Sequence, residues 1–450
     1  MKLFVYLILI STLNLFSQNW QKVPEISTGI YVHSIFYPKS DANKVIVIAD
    51  SIPIDKDLKN MFSHFALLSG YGYFESTDGG TSFSSQKSNG EKIFLAIGES
   101  PKEPNTWICS ALDKGISKFG ISTNKGTSWD FEKSQCNTSA KIINLINIGE
   151  NVYGAGVGTG FGFIDGGDNF SNCRINDTLN ASIRDIQMLN NKLFLASDDN
   201  AKPGVFYSTD LGVSWNKDQS GLSGVRVNTV CPSPAYEIHK VVVCGGDKYL
   251  VDQYVGAGIY YSSDNGATWN LQGAANTKVY DIKYHPKNPL LMVAACGKDG
   301  LYISPNGGIN WEQFNNGLPE SADVRRVSFP DKPKGSNGYE LYIGLYGEGL
   351  WKTSNLNVTL TSVDKNITNN LKVAPNPISD KIDVYFNSNI SESVIIEIID
   401  LQGENVYNMT KVVSEGENYI NISNLNINTG VYLLKITSSI GTSTAKIIKN

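Results

Sequence analysis

Arginine, histidine and cysteine are scarce in this 450-residue chain, and each scarcity removes a class of chemistry. Five of the 38 basic residues are arginine, the charges are scattered singly and the formal net charge is −5. Nothing here resembles the clustered positive surface that grips nucleic acid, so no nucleic-acid partner is expected. The four histidines, His33, His64, His239 and His285, show no HExxH or HxH spacing and nominate neither a metal centre nor a histidine-based catalytic unit. The six cysteines include no CxxC pair, which argues against a zinc or redox motif and against a disulfide scaffold. Cys109, Cys244 and Cys296 sit inside apolar runs and read as small buried hydrophobes, whereas Cys136 and Cys173 are the pair that an oxidising compartment leaves open to bridging. No metal and no cofactor is expected.

Long apolar runs are missing beyond the first residues. MKLFVYLILISTLNLFSQ sets Lys2 before an apolar stretch, Leu3 to Phe16, that is too short to span a bilayer and is followed by Ser17 and Gln18. Residues 1–18 therefore read as a secretory signal peptide. No later segment approaches 18 consecutive apolar residues, so no membrane-spanning segment is expected in the mature chain. Helical periodicity is weak throughout, which disfavours alternating βα units and leaves an all-β reading.

What is abundant is one short phrase. STDGGTSF, Ser76 to Phe83, returns as STNKGTSW from Ser122, STDLGVSW from Ser208, SSDNGATW from Ser262 and SPNGGINW from Ser304, with a worn copy, FIDGGDNF, from Phe163. The Asp-position residues, Asp78, Asn124, Asp165, Asp210, Asp264 and Asn306, are 46, 41, 45, 54 and 42 apart, a period that points to a propeller or solenoid. Within a period, as in Lys278 to Trp311, strand-forming runs alternate with tight turns and predict four short strands per unit. Seven units begin near Ile30, Lys92, Lys141, Ser182, Arg226, Lys278 and Asp323. The seventh breaks off at Asn357 before its box, and Trp20 to Val23 supplies a strand like the one that follows every other box. A closed ring explains both, so residues 19–357 are expected to form one seven-bladed β-propeller in which no sheet edge is left between the chain ends. In each box the glycine (Gly80, Gly126, Gly167, Gly212, Gly266, Gly308) supplies positive φ, and the acid or amide accepts from its own turn, after the serine (Ser76 in the first copy). The aromatic (Trp129, Trp215, Trp269, Trp311) closes over the blade edge. The role is structural.

These copies resemble the Asp-box or BNR repeat, S-x-D-x-G-x-T-W, of sialidases, sortilin-type receptors, two-propeller xyloglucanases and photosystem II assembly factors. The resemblance implies the fold, and it implies that ligands are met on the face away from the boxes. After a polar linker, residues 358–370, the chain changes character. Residues 371–450 hold alternating strands broken by Pro and Gly turns, as in a small Ig-like β-sandwich. They look like the type A C-terminal sorting domain of the type IX secretion system, matching at Pro375-Asn376-Pro377, Asp400 with Gly403, Leu425 through Gly430-Val431-Tyr432, and Lys449. That resemblance implies the secretion machinery as a partner, passage through a periplasm, and release outside the cell or attachment to its surface.

Candidate ligand residues fall in loops expected on the face opposite the boxes. Arg184 and Arg325 share a column at the start of the innermost strand, with Arg226 and Arg326 close to it; arginines converging on a channel mouth suit a carboxylate or sulfate. The segment Gly245 to Gly258 offers Asp247, Tyr249, Asp252 and Tyr254 to a sugar or a cation, or simply solvates them. The insertion Asp50 to Gly72 reads as a packed cover or as a lid. Asp198, Asp199, Asp281 and Asp299 are acids whose mutual distances the sequence does not give. The leading expectation is a non-catalytic exported propeller binding an extracellular protein or glycan; the alternative is a glycoside hydrolase, sialidase-like or xyloglucanase-like. The sialidase parts are not evident, since there is no F-R-I-P-like segment and the unit count is seven.

Overall fold

The computed structural model describes residues 20–51, 71–353, 356 and 371–449 apart from short internal stretches, the longest being 331–339, 166–172 and 234–239. The expected signal peptide, the linker, most of the 50–72 insertion with His64, and the Cys136–Cys173 bridge lie outside the described residues, as does Gly167 of the worn box. The described part is all-β.

Seven antiparallel sheets follow one another in chain order. Their first strands, Ile30–Phe36, Ile93–Glu99, Lys141–Ile148, Ile183–Leu189, Val225–Pro232, Asp281–His285 and Val324–Ser328, each touch the next, and the last touches the first. They line the centre of a ring whose blades radiate outward. The second strands Lys192–Ser197 and Leu341–Leu345 are buried along their whole length, as are Val45 to Ala49 of Val45–Ser51. They are apolar on both sides because a blade is covered on both faces by its neighbours, which is why they read as unbroken hydrophobic runs.

The ring closes as the truncated seventh unit requires. Gln21 and Lys22 pair with Lys352 and Trp351 of the last blade, and the Val23 amide donates to the Leu350 carbonyl at 2.9 Å. Trp20, Val23 and Ile26 are buried beneath this seam. Blades one and four depart from the expected four strands: the outermost is reduced to a bridge, Tyr73 with Lys87 and Tyr207 with Asn216. An outermost strand has one neighbour and water on its other side, so it is the cheapest to shorten.

Five boxes share one hydrogen-bond pattern. The serine Oγ of Ser76, Ser122, Ser208, Ser262 and Ser304 accepts from the glycine amide four residues on, at 2.7–2.9 Å. The same hydroxyl donates to the Asp or Asn Oδ1, at 2.6–3.0 Å. That Oδ1 in turn accepts from the amide of Ser82, Ser128, Ser214, Thr268 or Asn310. Where the third residue is Asp, its Oδ2 also accepts a hydroxyl, from Ser82, Ser214 or Thr268. Asn124 reverses the sense and donates to Ser128 Oγ. The box glycine is required by its backbone, with φ +82 at Gly126, where an added Cβ would also stand 3.0 Å from the Trp107 ring. Trp269 and Trp311 fold back and donate Nε1 to the carbonyls of Gly266 and Gly308. Cys109, Cys244 and Cys296 are buried thiols whose pKa burial pushes well up.

Residues 371–449 form two sheets, of three and four strands, over one core that includes Ile382, Val384, Ile396, Ile398, Leu434 and Ile436. The Pro375-Asn376-Pro377 turn is tied to the last strand: Asn376 Nδ2 donates to the Lys446 carbonyl and Asn376 Oδ1 accepts from the Ile448 amide. Lys449 bonds the Ser379 carbonyl, and Leu425 is buried. The Pro375-Asn376-Pro377 turn and the strand that carries Lys449, two of the marks read in the sequence, therefore meet at one seam.

Candidate functional site

In a blade of four alternating strands, the turn between the third and fourth lies at the end opposite the start of the first. The boxes occupy that turn. The other end of the ring consequently carries the beginnings of the inner strands and the turns between second and third strands, and it is where blades differ.

A bulge marks the start of most inner strands. Pairing to the second strand skips His33, Leu95, Ile143, Arg184, Asn228 and Arg325, one residue in each of six blades. A bulge leaves its extra residue out of the ladder and re-aims its side chain, a device common beside binding sites. This explains why Arg184 and Arg325 share a column, and it adds His33 and Asn228, which periodicity did not single out.

The arginines do not converge on an empty centre. Arg184 Nε and Arg226 Nη2 both bond Asp198 Oδ2, at 2.6 and 3.2 Å, and Ser182 Oγ donates to Asp198 Oδ1. Arg226 Nη1 bonds Asp247 Oδ1 at 2.8 Å, while Asn228 Nδ2 reaches Asp247 Oδ2. Arg226 and Asp247 are 4% and 3% exposed and lie buried beneath the rim. Each guanidinium edge is already taken by an acid of the chain itself. Burial holds the Asp247 carboxyl above the usual range in spite of Arg226. Tyr254 lies over Arg226, ring centroid 4.3 Å from Cζ, and packs on Tyr249 at 4.9 Å. Tyr249 and Asp252 are exposed on a projecting hairpin, and the Tyr249 hydroxyl donates to Asp252. Its tip residue Val251 is 93% exposed at φ +44, a left-handed conformation that a β-branched residue rarely adopts.

Arg325 belongs to a second cluster. Its Nε and Nη2 grip both oxygens of Asp323. Its Cζ lies 4.0 Å from the ring of Tyr280 and 5.1 Å from that of Tyr346. Tyr346 meets Tyr31 edge-on at 5.6 Å, and Tyr31 meets His33 at 4.6 Å. Burial pushes Tyr280 up to about 12 and also raises Tyr346. Arg326 turns away and donates Nε to the His33 carbonyl.

The remaining acids pin blades together. Asp185, its pKa raised by burial, accepts from Asn144, Gln187, Thr229 and the Val230 amide, joining blades three, four and five. Asp281 accepts from Lys283 and from the Val327 amide of the next blade. Asp199 caps the turn that follows it, taking the Ala201 and Lys202 amides. The Asp299 carbonyl accepts from Gln313 and Asn315. Among the described residues, no cluster of His, Cys, Asp and Glu is arranged to hold a metal ion, and no helix is long and apolar enough to cross a membrane.

The secretion system C-terminal sorting domain family matches residues 372–450. The chain is thus addressed by the type IX secretion system to the cell surface or the extracellular space. A 164-residue stretch is 29% identical to the probable oligoxyloglucan-reducing end-specific xyloglucanase of Neosartorya fischeri, covering 33% of this chain and 19% of that protein. The matched stretch spans about a fifth of that curated relative. Two solved structures agree in fold. YCF48 from Cyanidioschyzon merolae matches with TM-score 0.53 at 13% identity, over 75% of this chain and 99% of its own. The GH74 xyloglucanase from Xanthomonas campestris matches with TM-score 0.53 at 10% identity, over 95% of this chain and 75% of its own. At such identities the likeness is one of propeller fold alone.

Proposed function

We propose that the chain is an exported binding propeller, holding an extracellular glycan or protein at the inner-strand end of the ring without cleaving it. Residues 19–357 are the cargo that binds, and residues 371–450 are the address read by the secretion machinery. The observation that carries this reading is the condition of the acids at that end. Asp198, Asp247 and Asp323 have their oxygens committed to Arg184, Arg226, Asn228 and Arg325, while tyrosines occupy the rim. Glycoside hydrolysis needs one carboxyl that keeps a proton and another that reaches water or sugar, and a carboxylate held by a guanidinium serves poorly as either. Asp247 has the raised pKa of an acid but not the access.

A second reading, a glycoside hydrolase acting on extracellular polysaccharide, is favoured by the stretch shared with the N. fischeri xyloglucanase. Xyloglucan oligosaccharides and sialyl-oligosaccharides, offered to the mature full chain with binding followed by calorimetry and cleavage by reducing-end release, separate the two. Binding without release is expected; steady release of new reducing ends or of sialic acid would replace the binding reading with the enzymatic one. Delivery has its own test, since removing residues 371–450 should hold the propeller in the periplasm, and export of the shortened chain would contradict that role.

A further inference from the structure

Side chains of three successive blades meet at the rim: Tyr280 of blade six, Arg325 and Tyr346 of blade seven, and Tyr31 of blade one. Tyr346 is 36% exposed and the others are half-buried. Asp323 cancels the charge of Arg325 where it sits, and Asp198 and Asp247 do the same for Arg184 and Arg226. The arginine-rich mouth therefore carries no local excess of positive charge. At the same time, the Nη1 group of Arg325 and the hydroxyls of Tyr31 and Tyr280 make no hydrogen bond among the described residues.

Building on the binding role proposed above, we infer that this cluster takes an uncharged sugar residue, stacked against Tyr346 and hydrogen-bonded to Arg325 Nη1 and the hydroxyls of Tyr31 and Tyr280. An anionic ligand gains nothing from a guanidinium that is already neutralised, and it brings a charge into a half-buried place that has no partner for it. An apolar peptide side chain would cover three polar groups and satisfy none of them. A neutral sugar ring presents C–H faces to an aromatic and hydroxyls at its edge, which matches both halves of the cluster.

The test is calorimetric titration of the mature full chain with cellohexaose, xylohexaose and mannohexaose, against hexagalacturonate, a heparin hexasaccharide and a poly-glutamate peptide, in 50 and 500 mM salt. At least one neutral hexaose should bind, with an affinity that salt changes less than about twofold, since no counterions are exchanged. Tyr346→Ala should weaken that binding about tenfold or more while Tyr346→Phe stays within about threefold, both variants melting with the parent. Preference for the acidic probes, with affinity falling as salt rises, would overturn this inference and leave the binding role standing. Binding to none of the probes would overturn this inference and leave the binding role with a protein as its ligand. Cleavage of a bound neutral hexaose would overturn the binding-only role and leave the sugar class intact.

Discussion

At the box end of the ring, hydrogen bonds close within a few residues: Ser262 to Gly266, Asp264 to Thr268, Trp269 to Gly266. At the other end contacts also run between blades. Arg226 crosses 28 residues to Asp198, and Arg325 lies against Tyr280 of the preceding blade. The first end repeats nearly unchanged through five boxes, whereas the second places His33, Leu95, Ile143, Arg184, Asn228 and Arg325 at one shared position. Repetition marks a fastener that each blade needs. Variation on a constant frame marks the surface where a particular ligand can be selected.

That contrast can be attacked in order of expected effect. Arg226→Met should be the most damaging change, because it strands the buried Asp247 without a cation and leaves Asp198 with Arg184 alone; a loss of about 3–5 kcal/mol in denaturant unfolding is expected. Gly266→Ala, at φ +90, forces a side chain into a left-handed turn and should cost roughly 1–2 kcal/mol by the same assay. Asp78→Ala removes the acceptor for the Thr81 and Ser82 amides and should cost about 1 kcal/mol, with ligand affinity unchanged. An Asp78→Ala loss as large as that of Arg226→Met would mean that the boxes are not independent units.

The smallest effect is an acid one. Hydrogen bonds from Ser208 and Ser214 hold Asp210 down at about 2, and those from Ser82 and Ser76 hold Asp78 lower still. Burial works against Asp264, yet its bonds to Thr268 and Ser262 bring it below the usual range as well. A depressed native pKa gives stability that is complete above the unfolded carboxylate value, about 4, and is lost as pH falls through the native value. Replacing Asp78, Asp210 and Asp264 together by Asn, as boxes two and six already have, should flatten the fall in melting temperature between pH 4 and pH 2. An unchanged slope would show that the boxes do not titrate as described.

How much of this was legible follows from the same contrast. The box, its glycine, the seven units and the strand from Trp20 to Val23 are local or repeated, so a period and a missing piece sufficed to place them. The sorting module announced itself through Pro375-Asn376-Pro377 and Lys449, which the fold brings together. Arg184 and Arg325 could be put in one column, but Asp198 could not be named as the partner of Arg184, because packing between strands assigns it; Asp323, two residues before Arg325, is the local exception. Tyr31, Tyr280 and Tyr346 were passed over for that reason. Their signal lay in blade position, since Tyr31 and Tyr280 fall at inner-strand starts and Tyr346 at a turn between second and third strands. Asp247 shows the same limit: a residue of suitable chemistry whose burial against Arg226, its partner on the adjacent strand, no spacing gives.

The central claim, that one end fastens and the other binds, is tested most directly by measuring melting temperature and affinity for the tightest-binding neutral hexaose on Asp78→Ala and Tyr346→Ala side by side. The account expects Asp78→Ala to melt lower with affinity intact, and Tyr346→Ala to melt unchanged with affinity lost. The reverse pairing, with affinity surviving Tyr346→Ala and failing in a folded Asp78→Ala chain, would contradict it.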